Sequence, residues 1–313
     1  MRDLNKFYSI DAYGKSSKKP YNRGKSFGYQ ILGFGSGVAA AGFLPTQQGI
    51  FRGSMASNLV NSSGVVAADV SSVGTTANGA GGTSYGGDKA IFAFGYSGGH
   101  LNHSNLVSNT GVVQSDTSGV GTARAGIRAA TYGSDKGIFA YGGDPGGTLN
   151  NLVTNAGVIG SDNAGAGTGR NNHASCSYSA ENALAIFAYG TVSGGNTNVS
   201  NLINSEGVCG SDVTGVGNAR WGPAGCQYGS DKAIMGYGAG PNHTAISNLI
   251  SSSGVVATDT SGVGTARYGV GALSYGEDKG AFAWGSASGV GNVSTKNLVN
   301  SSGVIGSDVT GVG

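Results

Sequence analysis

The stretch YGSDKGIFAYG, Tyr132 to Gly142, decides the fold, because the chain writes it repeatedly. It returns as YGGDKAIFAFG from Tyr85, YSAENALAIFAYG from Tyr178, YGSDKAIMGYG from Tyr228 and YGEDKGAFAWG from Tyr275. Gly-x-Asp-Lys reads as a tight turn, with Gly and Asp as the residues that accept φ > 0. IFAYG alternates large and small apolar residues at period two and closes on an aromatic, which reads as a strand.

Two further markers surround it. Asn-Leu pairs fall at Asn58, Asn105, Asn151, Asn201, Asn248 and Asn297, spaced 47, 46, 50, 47 and 49 residues apart. Each opens a segment such as NLVSNTGVV, read as two short strands about a turn. A run such as SDTSGVGTAR follows and ends on Arg124, Arg170, Arg220 or Arg267. A degenerate first copy is present: GVAAAGF at 37–43 matches GVGALSY at 269–275, and GIFRG at 49–53 stands for GAFAWG. The repeats then run at about 36–74, 75–121, 122–167, 168–217, 218–264 and 265–313, behind a head at 1–35.

No segment holds a 3.6-residue period over three turns, so the class is all-β with three or four antiparallel strands per unit. Such a sheet cannot bury both faces alone, and stacking sheets around an axis solves this. The expected architecture is a six-bladed β-propeller with a short N-terminal extension. The 61 glycines suit strands crowded near an axis. A linear β-solenoid is the alternative, although its rungs repeat at roughly 20–30 residues.

Charge divides the chain. Arg2, Lys6, Lys15, Lys18, Lys19, Arg23 and Lys25 against Asp3 and Asp11 give residues 1–25 a charge of +5, while the rest carries 11 basic and 14 acidic residues. The head is a candidate docking segment for an acidic partner surface, or a solvated terminus. Cys176, Cys209 and Cys226 lack metal or redox spacing and read as buried free thiols. The first 20 residues lack the apolar core of a signal peptide, and no run approaches the length of a membrane span, so synthesis in a reducing cytoplasm is expected.

The candidate chemistry is thin. Asp88, Asp135, Asp231 and Asp278 each precede a Lys, and a pair copied in every unit argues for a structural turn rather than acid–base catalysis. Asp116, Asp162, Asp212, Asp259 and Asp308 stand singly near Gly, which suits an Asx turn better than a calcium loop. His100 and His103 fall in one inter-strand loop and His243 in the equivalent loop three units on, too far apart for one metal. The reading is a protein with no catalytic site, cofactor or metal. Arg124, Arg170, Arg220 and Arg267 recur at one position and read as structural, and Ala77 breaks their series in the second unit. The segments 96–104, 143–150, 191–200, 239–247 and 286–296 vary between units and would lie on one face. That makes His100, His103 and His243 candidate recognition residues.

From Arg124 through Arg170, the order ARAGIRAATYGSDKGIFAYGG, NNLV, GVIGSD, GTGR resembles the kelch repeat. Only Gly142-Gly143 keeps that motif's double glycine, and its Trp before the next Arg is absent. The resemblance covers about 36–313 and implies a kelch-like propeller in which the Arg hydrogen-bonds between blades. Runs such as YGGDKAIFAFG, NLVSNTGVV and DTSGVGTAR are also similar to glycine-rich repeats of marine bacteriophage virion proteins. This implies a structural virion protein of tail, neck or fibre, made in the host cytoplasm. Its partners would be other virion proteins in a symmetric assembly, not nucleic acid. The alternatives are a glycan-binding, receptor-recognition propeller and a non-viral kelch scaffold.

Overall fold

The computed structural model describes residues 10–11, 13–14, 48–53, 56–143, 147–179 and 183–312. Among them the chain is all-β, without a helix. Each repeat supplies one principal antiparallel sheet in chain order. The second holds Gly81–Tyr85, Lys89–Tyr96 and His100–Val107. The third holds Arg128–Tyr132, Lys136–Ala140 and Asn150–Val153, and the fourth Ala174–Tyr178, Leu184–Ala188 and Ser200–Ile203. The fifth holds Ala224–Tyr228, Lys232–Gly236 and Ser247–Ile250, and the sixth Gly271–Tyr275, Lys279–Ala283 and Lys296–Val299. Of the first repeat, Gly49–Arg52, Ala56–Val60 and Val70–Ser71 pair in the same sense. Its opening run 37–43 and the basic head 1–35 fall outside the described residues, apart from Ile10–Asp11 and Tyr13–Gly14.

An outer rung completes each unit. After the Asn-Leu strand the chain turns through a glycine and bridges back, as Val107 to Val113, Val153 to Ile159 and Ile250 to Val256. The middle strand is buried on both faces: Ile91, Ile138, Ile186 and Ile234 are fully buried, as are their neighbours Phe139, Phe187 and Met235. A sheet covered on both sides by other sheets has no solvent face, so its central strand reads as a continuous apolar run. The large-and-small alternation of IFAYG therefore separates two packed faces rather than inside from outside.

Neighbouring units meet through their opening strands: 81–85 packs on 128–132, that on 174–178, that on 224–228, and that on 271–275. Small residues permit this approach, and their hydroxyls tie the units. Ser175 and Ser177 donate to the carbonyls of Ala129 and Thr131, and Ser274 accepts from the Gln227 amide. The sixth sheet packs on Gly49–Arg52 through Phe51, Tyr275, Ala281 and Ala283. On its other side, Ile50 lies against Ala90 and Val107 of the second sheet. The first sheet thus touches both the second and the sixth by face packing.

One glycine shows how tightly the units interlock. Gly254, in the turn after the fifth Asn-Leu strand, has φ +82°, and a Cβ there would sit 2.6 Å from the hydroxyl of Tyr178 in the preceding unit. The same turn glycine lies under the preceding unit's tyrosine at Gly157, Gly207 and Gly303, and at Gly64 under Tyr275 of the sixth unit.

Candidate functional site

The polar side chains copied from unit to unit converge on the seams. Arg220 donates to Asn248 Oδ1 at 2.7 Å, to the Tyr237 carbonyl at 2.8 Å and to the Asn218 carbonyl at 3.1 Å. Its guanidinium lies 3.9 Å from the ring centroid of Tyr189 in the preceding unit. Arg124 and Arg267 repeat the set with Asn151 and Asn297, stacked on Phe94 and Tyr237. Arg170 reaches Asn201 over Tyr141, but it takes the Phe187 carbonyl, and its Nε has no partner among the described residues. All four arginines are buried. Burial lowers the Arg124 pKa to about 10, which leaves it charged at neutral pH.

The second half of each seam is the Asn–Asp couple. The Nδ2 of the Asn-Leu asparagine donates to an aspartate eleven residues on, as Asn151 to Asp162 at 2.9 Å and Asn297 to Asp308 at 2.9 Å. That carboxylate also accepts from the backbone and hydroxyl of a threonine in the strap between units: Thr75 to Asp116, Thr122 to Asp162, Thr168 to Asp212 and Thr265 to Asp308. Burial pushes these four carboxyls up, but the hydrogen bonds outweigh it and hold them below the usual range. These aspartates therefore clamp strap to sheet across about forty residues of chain, in place of the local Asx turn expected from sequence. The Asn-Leu asparagines mark the repeat in the sequence, but their pairing with the strap arginines and with these aspartates is seen only in the fold.

The second unit completes its seam differently. Ala77 stands where the strap arginine would be, and Arg52, at the end of the strand Gly49–Arg52 of the first sheet, donates to Asn105 Oδ1 at 2.7 Å and to the Val73 carbonyl at 2.9 Å. The break that Ala77 implied is filled by a guanidinium arriving from another element. The ring-bearing residue over which each strap Arg stacks is itself left-handed: Phe94, Tyr141, Tyr189 and Tyr237 have φ of 61–64°. A bulky residue adopts this conformation only where its surroundings impose it. Here the stacked guanidinium, burial and, for the tyrosines, a hydroxyl donated to the carbonyl of Ala166, Val216 or Val263 hold the ring in place.

At one end of the molecule lie the Gly-x-Asp-Lys turns. Gly86 and Gly87, Gly133 and Ser134, Gly229 and Ser230, and Gly276 and Glu277 take positive φ, and the aspartate does not. Asp88, Asp231 and Asp278 pair with the adjacent Lys at 2.7–2.8 Å on the surface, and Asp135 accepts from Asn155. Carbonyls of these turns receive the backbone of the preceding unit, as Gly86 to Asp135 and Gly229 to Asp278.

The other end carries the variable segments. His100 and His103 lie on the strand His100–Val107 rather than in a loop. His103 stands 3.8 Å from Asp116, and His243 packs edge-on against Tyr268. His173 is fully buried between Tyr141 and Phe187, with both ring nitrogens unpartnered among the described residues. Burial first, then Arg170 and Arg128, hold its pKa well below 6.5. Cys176 and Cys226 are buried free thiols, while Cys209 is partly exposed at the outer rung. Among the described residues no three His, Cys, Asp or Glu side chains gather as metal ligands. Arg2, Lys6, Lys15, Lys18, Lys19, Arg23 and Lys25 fall outside the described residues.

Where the straps enter the opening strands, a girdle of backbone bonds runs from unit to unit. Gly126 donates to Gly79, Asn172 to Gly126, Gly222 to Asn172 and Gly269 to Gly222, at 2.7–3.0 Å. Every one of these residues is left-handed, and a Cβ on Gly126 would meet Asn171 Cβ at 2.9 Å. The residue just before each girdle position follows the seam arginine or its Ala77 substitute, and it changes from unit to unit: Asn78, Ala125, Asn171, Trp221, Tyr268. A shallow cleft of about 450 Å³ opens here, lined by Asn78, Tyr96, His100, Ala125, Asn171 and Asn172 together with glycine backbone. Farther along the girdle, the rings of Trp221 and Tyr268 lie 4.3 Å apart, centroid to centroid, tilted by 47°.

No family model matches the chain, and no curated protein sequence matches it. Among solved structures, the protein YjhT is similar in fold, with a TM-score of 0.62 at 11% identity over 86% of this chain and 95% of that one. At that identity the likeness speaks for architecture alone. The chain has an all-β, propeller-like fold of small antiparallel sheets. Among the described residues no helix is long and apolar enough to cross a membrane.

Proposed function

We propose that the chain is a six-bladed, kelch-like β-propeller that serves as a structural, non-catalytic component of a bacteriophage virion, in a tail, neck or fibre. It would dock on other virion proteins through the basic segment 1–35. The carrying observation is that the Arg, Asn and Asp side chains that recur from unit to unit are committed to the seams, joined by a Thr at Asp116, Asp162, Asp212 and Asp308, which is the construction of a scaffold. The resemblance of runs such as YGGDKAIFAFG and NLVSNTGVV to repeats of virion proteins supports that location. Mass spectrometry of purified particles from the producing phage tests it: the protein is expected at stoichiometric abundance, and its absence from particles overturns the reading.

A second reading has its own support. The end with the variable segments carries a polar and aromatic cleft whose lining differs from unit to unit, which suits a propeller that recognises a glycan on a host surface.

A further inference from the structure

We infer that the cleft at the girdle is a binding site for an uncharged saccharide. The inference deepens the glycan reading above and is independent of where the protein resides.

Three observations carry it. The first is placement. Within units that repeat closely, the position before the girdle residue varies as Asn78, Ala125, Asn171, Trp221 and Tyr268, while the arginine before it in four of the five is locked into a seam. Side chains that vary beside fixed neighbours carry no shared structural duty.

The second is chemistry. Asn78, Asn171 and Asn172 each present an amide donor and an amide acceptor, the pairing that vicinal hydroxyls require. Asn171 is pre-set by bonds from its Nδ2 to the Gly143 carbonyl at 3.1 Å and from Asn172 Nδ2 to its Oδ1 at 3.3 Å. The Asn78 side chain has no hydrogen bond among the described residues and remains available. Tyr96, nearly half exposed and set edge-on to His100 at 5.7 Å, offers a ring for the apolar face of a sugar.

The third is charge. Among the described residues no Asp, Glu, Lys or Arg lines the cleft, so no lysine or arginine there pairs with a carboxylate, sulfate or phosphate, and His100 is its one basic side chain. This separates a neutral sugar from sialylated glycans and from nucleotides. The volume of about 450 Å³ falls within the roughly 300–1,000 Å³ of small-ligand sites.

The test uses the full chain and saturation-transfer NMR with maltotriose, mannotriose and chitotriose, with 3′-sialyllactose as the charged comparison. At least one neutral trisaccharide is expected to bind and sialyllactose is not. Asn78→Ala and His100→Ala, chosen because neither side chain holds a seam, are expected to weaken binding about tenfold. Asp231→Asn at the opposite end is expected to leave it unchanged. Neutral sugar that binds equally to both cleft variants overturns this site but leaves the glycan reading standing. Preference for sialyllactose overturns the neutral assignment. Absence of binding by all four sugars at about 10 mM overturns the site and weighs against the glycan reading with it.

Discussion

Arg220 and Trp221 are neighbours in the chain and belong to different regions of the molecule. Arg220 is fully buried in a seam, with three acceptors and an aromatic face around it. Trp221 stands at the rim of the girdle, partly exposed, and touches Tyr268. The same division recurs at Arg124 and Ala125, Arg170 and Asn171, and Arg267 and Tyr268. One residue of each pair is fixed by the need to join two sheets; the other is free to take whatever chemistry the rim requires. Repetition thus marks cohesion in this chain, and departures from repetition mark the surface available for recognition.

The largest effect expected at a seam comes from Arg124→Ala, which leaves Asn151 Oδ1 and the Tyr141 carbonyl without their donor. A loss of about 3–5 kcal/mol in chemical denaturation is expected. Arg52→Ala sharpens the comparison, because this guanidinium reaches the second seam from a strand and is less buried. A smaller loss, about 2 kcal/mol, is expected, and no loss at all would mean that the contact with Asn105 is incidental. Gly254→Ala combines a left-handed backbone with a clash against Tyr178, and about 1–3 kcal/mol of destabilisation is expected in the same assay.

His173 tests the seam between the third and fourth units from the opposite direction. His173→Ile, which installs the residue found at the equivalent Ile127, removes two unpartnered buried nitrogens and is expected to stabilise by about 1–3 kcal/mol. The pH dependence follows from the depressed pKa. Between the folded value and 6.5 the unfolded chain binds the proton and the folded chain does not, so stability is full above 6.5 and falls as pH drops through that window. Wild type should lose stability there in thermal melts, and His173→Ile should lose less. The smallest effect belongs to Asp278→Asn in an exposed turn pair, where a shift within about 0.5 kcal/mol is expected.

The sequence disclosed the repeat, the strand composition of each unit and the end on which variation gathers, since these are local and periodic signals. The seam partners were hidden because they lie far apart in the chain: Arg124 and Asn151 are separated by 27 residues, and Thr122 and Asp162 by 40. Arg52 was harder still, since it occupies a strand position that small residues fill in later units, as Ala93 does. The left-handed conformation of the aromatics has no compositional signature, because it goes with packing across the seam: a stacked arginine from the following strap at Phe94, Tyr141, Tyr189 and Tyr237, and Phe51 at Trp284. The cleft is not legible in the sequence, because its amides and rings come from the second and fourth units and only the girdle brings them together.

The most direct test of the account is a matched pair of urea unfolding curves for Arg220→Ala and Trp221→Ala. Arg220→Ala is expected to lose about 3–5 kcal/mol and Trp221→Ala about 1 kcal/mol or less, with unchanged circular dichroism for Trp221→Ala. Equal losses, or a larger loss for Trp221→Ala, would contradict the division between seam and rim.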